Sequence, residues 1–321
     1  MPESIDWPVP RSGNPVRRRR RFILILVVLA AIFFGGRTVL SYYVDVLWFG
    51  SLGYGDVFWK TLSLQWGIFA FFTAATFLIL YGSFKALQRA HLPDLPSGHT
   101  VYIGGQPLKL PVEPVLRLIA LGISLVIAAA TGGGMMGEWP TLALFWYAPV
   151  TSGAGVVDPI FGKPLNFFLF ALPAWQLIAG WLLTLAVITC LLAAFFILIT
   201  GGTRVLSGSL SRYVDLPWRG LSITFAFLLL VLAMRAYISR FELLLDDHTI
   251  FGGVTYTDAH VTLTGMLIVC GALVLGAAIA VVNAVRMPRG RWLVAAILPA
   301  VVCYISLQGV TWYVSSFIVK P

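Results

Sequence analysis

LPAWQLIAGWLLTLAVITCLLAAFFILIT, residues 172–200, contains no Asp, Glu, Lys, Arg or His. At 1.5 Å rise per residue, about 20 apolar residues in a helix cross the roughly 30 Å hydrocarbon layer of a bilayer. This stretch exceeds that minimum by about nine residues, a surplus absorbed by tilt or by extension past the interface. The whole chain carries the same signature. Of 321 residues 59% are hydrophobic and 11% charged, against about 25% charged in an average soluble domain. The chain reads as a membrane protein, so its net charge of +9 has to be interpreted by location and not as an affinity for nucleic acid.

Hydropathy predicts an all-α polytopic transmembrane bundle of seven spans, at about 22–43, 62–84, 115–133, 172–200, 220–239, 263–285 and 292–315. Residues 1–16 are polar, and Arg17 to Arg21 form a basic run before Phe22. The apolar stretch that follows is too long for a secretory signal core and lacks a small-x-small cleavage site. It reads as an uncleaved first helix behind a cytoplasmic basic segment, residues 1–21, whose arginines also favour anionic lipid. With that orientation the inner loops hold Arg11, Arg17 to Arg21, Lys85, Arg89, Lys109, Arg117, Arg204, Arg212, Arg219, Arg286, Arg289 and Arg291. Outside fall only Arg37, Lys60, Lys163, Arg235, Arg240 and Lys320 of the 22 basic residues. The bias agrees with basic residues gathering on the cytoplasmic side, and it puts the C-terminal end, residues 316–321, outside a bacterial inner membrane.

The connections carry local signals. Pro93, Pro96, Pro107, Pro111 and Pro114 exclude a long helix over 92–114, and VYIGGQPLKL at 101–110 predicts a small hairpin. Gly132 to Gly134 are expected to end the third helix. Between Met135 and Leu172 a long outer loop carries an apolar patch, Thr141 to Ala148, too short to cross and expected to lie in the interface or tuck back toward the bundle. VDVLWFGSLGYGDVFWKTL, residues 44–62, reads as an outer connector. Its Trp48, Phe49, Tyr54, Phe58 and Trp59 suit an interfacial aromatic belt, and its glycines allow a turn.

The densest set of chemically able side chains is RAYISRFELLLDDHTIFGGVTYTDAH, residues 235–260. Asp246, Asp247, His248, Asp258 and His260 are the weak metal candidates, since carboxylate oxygens suit hard cations and imidazole suits zinc or iron. Adjacent Asp246, Asp247 and His248 point different ways on any regular element, so a solvated or partner-contacting loop is the favoured reading. TYTDAH starts a helix, with Thr257 or Asp258 as N-cap. Charges at the membrane edge, Arg37, Arg235, Arg240 and Glu242, pair, face a cavity or extend to the headgroups, extension being the default for Arg37 and Arg235. Arg235 and Glu242 share a helical face only if their helix continues past Ser239. Polar or helix-disturbing residues within the spans are few: Gln176 near the outer end of the fourth, Asn283 near the inner end of the sixth, and Pro299 and Gln308 in the last. Cys190, Cys270 and Cys303 lie in apolar runs and read as packing residues. No P-loop, GxGxxG, HExxH or GxSxG is present, so no catalytic residue or cofactor is assigned and an enzyme is not expected.

LWFGSLGYGDVFW at 47–59, DPIFGKPLNFFLFALP at 158–173, YISRFELL at 237–244 and GVTYTDAHVTL at 253–263 together resemble the N-terminal membrane region of uncharacterised protein family 0182. The resemblance covers most of the chain from about residue 20. It implies about seven helices followed by a large extracytoplasmic portion, which this chain, ending at Pro321, is expected to lack. It brings no catalytic residues. The expectation is therefore a non-enzymatic membrane protein that anchors or scaffolds an extracytoplasmic assembly, with the lipid bilayer and a protein partner or separate outer domain as its contacts. The alternative is a carrier or channel component for an apolar or lipid-like substrate.

Overall fold

The computed structural model describes residues 25, 29, 36–91, 100–103, 106–109, 112–148, 157–206, 218–247, 252–286 and 289–319. Two compact units, Met1–Leu64 and Gln65–Pro321, are taken separately.

In the first unit the chain is helical over 36–51 (α1), turns, and begins α2 (Gly55–His91). The turn is a Schellman closure. The Tyr54 N–H donates to the Phe49 carbonyl (2.9 Å) and the Gly53 N–H to the Gly50 carbonyl (3.2 Å), with Gly53 at φ +77°, a left-handed conformation that suits glycine at the end of a helix. Asp56 in the first turn of α2 complements the helix dipole. The expected 44–60 connector is thus mostly helix, because these helices continue past the point where their apolar stretch ends. Trp48, Tyr54 and Trp59 are exposed and Phe49 is half-buried. Phe58 is buried, its ring against Phe49 (5.8 Å) and Trp59 (5.6 Å).

The second unit contains the rest of α2, β1 (Thr100–Ile103), β2 (Gln106–Lys109), α3 (Val112–Gly137), α4 (Trp139–Tyr147), α5 (Leu172–Leu206), α6 (Trp218–Glu242), α7 (Leu263–Val285) and α8 (Gly290–Tyr313). The two strands pair antiparallel, Thr100 opposite Lys109, as the VYIGGQPLKL pattern predicts. Single π-type turns lead into α5 and α7, over Phe167–Ala171 and Asp258–Thr262, and follow α8 over Val314–Val319. Six described helical stretches are long and apolar enough to cross a membrane: Gly55–Ala90, Pro114–Gly137, Phe167–Ile199, Trp218–Leu245, Asp258–Val285 and Gly290–Val319. The span expected at 22–43 lies mostly outside the described residues. The fold is an all-α polytopic membrane bundle. Its helices present large apolar side chains outward, Leu78, Leu198 and Ile305 among them, a surface that water would not tolerate over such an area.

Lipid tails are as apolar as leucine, so helix association here rests on close packing and a few interhelical hydrogen bonds. The core between α6, α7 and α8 is built mainly of small residues: Ala226, Ala233, Ala277, Ala280, Ala296 and Ala300 around Leu229 and Leu273. At Gly276 an added Cβ would fall 2.1 Å from the Ala296 carbonyl oxygen, so this glycine sets the α7–α8 approach. Pro299 lies inside α8 without ending it. A second junction centres on Thr76 of α2, fully buried, which accepts from Trp181 Nε1 of α5 (3.0 Å) and lies 3.3 Å from the Thr131 hydroxyl of α3.

Gly132 to Gly134 do not end the third helix, which runs on to Gly137. A Cβ at Gly132 would fall 2.0 Å from Thr73 Oγ1. The glycine there serves the contact between α2 and α3, and that contact offsets the ~0.5–1 kcal/mol that glycine costs inside a helix. Within the expected Met135–Leu172 loop, the described residues include a further helix. The loop's apolar patch is α4, which buries no residue and exposes Trp146.

Replacing Gly276 with Ala should destabilise the bundle by about 1–3 kcal/mol through forced separation of α7 and α8. Gly271→Ala in the same helix, where a Cβ meets nothing within 4 Å, should be neutral or stabilising by up to ~1 kcal/mol. Thermal unfolding of both variants in one detergent tests the contrast, and equal effects would remove the close-approach argument.

Candidate functional site

One end of the second unit carries the connectors into α5 and between α6 and α7, and with them Arg235, Arg240, Glu242, Asp246, Asp247, Asp258 and His260. Helix α6 does continue past Ser239, to Glu242. Arg235, Ser239 and Glu242 therefore follow one another at i, i+4 and i+7 on one face. Gln176 of α5 donates from Nε2 to Glu242 Oε1 at 2.9 Å. These four side chains, with Ala179 and Ile238, line a cavity of about 330 Å³. Arg235 also borders a second, apolar cavity of about 500 Å³ lined by Leu232, Leu273, Val301 and Tyr304 among others. Arg235 thus lines both a polar pocket and an apolar groove between helices.

Arg240 points elsewhere. Its guanidinium lies over the rings of Phe161 and Tyr237, at 5.6 Å from each centroid. Its buried Nε has no hydrogen-bond partner among the described residues, and the two ring faces stabilise the charge instead. Phe161 reaches this position through a turn written in DPIFGKP. Asp158 Oδ2 accepts the Ile160 N–H (3.1 Å) and the Phe161 N–H, the Asp158 N–H donates to the Lys163 carbonyl (2.9 Å), and Gly162 takes φ +63°. An aspartate folding its own following backbone is an Asx turn. The result is a ring cluster about Phe241, with Phe161 at 4.7 Å, Phe167 at 5.0 Å and Tyr237 at 5.6 Å.

The metal candidates do not converge in the described part of the chain. Asp246 and Asp247 are exposed at a turn in which the Gly253 N–H, at φ +119°, donates to the Asp246 carbonyl. His248 lies outside the described residues. Asp258 and Thr255 form a reciprocal capping box: the Asp258 N–H donates to Thr255 Oγ1 (3.2 Å), and Asp258 Oδ2 accepts from the Thr255 N–H (3.3 Å) and from its hydroxyl. Thr262 donates to Asp258 Oδ1 (3.0 Å), so both carboxylate oxygens are engaged locally. The cap is Thr255, two residues before the earlier of the expected positions, and the T-x-x-D spacing in the sequence is its signal. His260 stacks on Tyr256 at 4.2 Å, with Nδ1 3.0 Å from the Tyr256 carbonyl oxygen. Among the described residues no three His, Cys, Asp or Glu side chains are grouped to hold a metal ion. Arg37 is exposed in the first unit.

Among the described residues, six helices long and apolar enough to cross a bilayer define a multi-pass membrane protein. Comparison with known proteins then places it: residues 22–321 match the uncharacterised protein family UPF0182, and the chain belongs to that family. It is 27% identical to a UPF0182 protein of Micrococcus luteus over 88% of this chain and 26% of the relative. It is 30% identical to one of Bradyrhizobium diazoefficiens over 80% and 29%, and 31% identical to one of Mycobacterium avium over 78% and 25%. The chain thus spans between a quarter and three tenths of the length of these relatives. No solved structure matches it.

If Asp258 serves as a cap, Thr255→Ala and Asp258→Ala should each cost about 1 kcal/mol. The double variant should lose markedly less than their sum. A double-mutant cycle by thermal unfolding checks this. Strict additivity, or a fall in bound metal with Asp258→Ala, would argue for a separate role.

Proposed function

We propose that this chain is a non-enzymatic anchor in the bacterial inner membrane, holding an extracytoplasmic assembly at the end where α6 connects to α7. The observation that carries this reading is the Phe241 cluster, which locks the connector from 157 to 167 onto α6 with Arg240 across its rings. Directional turns and caps give this end a fixed shape, as a docking platform requires. Around it Trp146, Tyr147 and Tyr256 stay exposed, aromatic types that are enriched at protein interfaces. The greater length of the relatives fits the same reading, since most of each relative lies beyond the stretch that matches the bundle. Orientation follows from the basic loops at the opposite end.

A second reading, a carrier for an amphiphile, draws on Arg235, which faces both the polar cavity and the apolar groove. An anionic head against the guanidinium with its tail between helices would match that placement.

A photo-crosslinking residue placed at Trp146 or Tyr256 of the protein in native membranes should give discrete protein adducts. The same probe at Leu78, exposed on α2, should give lipid adducts only. If the platform positions also yield lipid alone, the anchor reading fails. Flux of an anionic amphiphile into proteoliposomes, lost in Arg235→Leu, would favour the carrier instead.

A further inference from the structure

At the opposite end of the bundle, the α7–α8 hairpin holds a groove of about 530 Å³. Its wall is apolar, formed by Ala278, Ile279 and Val282, and its rim carries Arg286, Arg289, Arg291 and Trp292. We propose that this groove binds one anionic phospholipid, the phosphate against Arg286 and Arg291, the upper acyl chain along Ile279 and Val282, and Trp292 at the level of the glycerol backbone.

The groove is anchored by a buried amide. Asn283 Nδ2 donates to Ser222 Oγ of α6 (2.9 Å) and to the Arg289 carbonyl (3.2 Å), while its Oδ1 accepts the Arg289 N–H (3.0 Å). Ser222 in turn donates to the Trp218 carbonyl (2.8 Å). Gly290 completes the closure, since a Cβ there would fall 2.9 Å from the Trp218 ring. Residues on both sides of the α7–α8 connection are therefore held in place from α6, and the basic side chains project from a defined backbone.

Charge and shape together select the occupant. Among the described residues the rim carries the guanidinium groups of Arg286 and Arg291 and no carboxylate. Guanidinium matches phosphate oxygens in fork geometry, and a basic pocket between transmembrane helices recognises an acidic headgroup. A free phosphate would leave the apolar wall uncovered. A zwitterionic lipid would bring a cation toward the arginines.

Native mass spectrometry of the delipidated protein in neutral detergent tests the proposal, with phosphatidylglycerol titrated against phosphatidylcholine of the same acyl chains. One phosphatidylglycerol should be retained selectively, and Arg286→Gln with Arg291→Gln should weaken that retention about thirtyfold, the loss expected for two charges at a lipid surface. Lys85→Gln with Arg89→Gln removes two charges from exposed positions on α2 and should leave retention unchanged. Val282→Trp keeps every charge, fills the groove and should also release the lipid, which separates binding from any folding defect of the arginine variants. Equal retention of the two lipids would overturn the site. So would an equal loss in the Lys85/Arg89 variant, or full displacement by inorganic phosphate.

Discussion

Hydrocarbon offers no hydrogen bonds, and the rest of this structure depends on that constraint. Every spanning segment must be helical to satisfy its own backbone, and helices that share their apolar character with the lipid gain little from mere contact. What holds them is local closeness. Gly276 admits the Ala296 carbonyl, Gly132 admits Thr73, and the alanine-lined surfaces of α6, α7 and α8 bring their axes together. Polar groups appear at intervals as directional bonds: Thr76 with Trp181, Asn283 with Ser222, Gln176 with Glu242. Each joins two helices where an unpaired donor or acceptor would be costly.

Outside the hydrocarbon the logic changes from closeness to closure. Three of the four stretches that carry the resemblance hold recognisable devices: Gly53 ends α1 in a Schellman motif, Asp158 folds an Asx turn, and Thr255 with Asp258 caps the helix leading into α7. The fourth, YISRFELL, supplies Phe241 and Arg240 as the receiving surface for Phe161. These motifs explain how the connectors are shaped without assigning any of their residues to chemistry.

Much of this was legible in the chain. Uninterrupted apolar length predicts the spans, the glycine pair between strand-like runs predicts the hairpin, and the scarcity of polar residues within spans singles out Gln176 and Asn283, both of which bridge elements. The misses have physical causes. Helix propensity and hydropathy are separate properties, so α1 and α2 extend through VDVLWFG and GDVFW, where apolarity has already broken. Gly132 to Gly134 resemble a terminus locally, and only a neighbouring helix shows them to be a contact. Phe161 and Phe241 lie 80 positions apart, with no local pattern to pair them. The capping box was readable from its spacing and was displaced by nearer, equally polar candidates.

The Asn283 amide has a mechanical consequence. Its hydrogen bonds to Ser222 and to Arg289 are short and directional, and they fix the angle at which α6 meets α7 and the start of α8. The opposite end of α6 is joined by ring contacts around Phe241 and by the Gln176–Glu242 hydrogen bond. Both ends of α6 are therefore tied to a neighbouring helix by a side-chain amide, Asn283 of α7 at one and Gln176 of α5 at the other. A load applied to the connector side would be carried along α6 to the Asn283 junction instead of being taken up as local sliding.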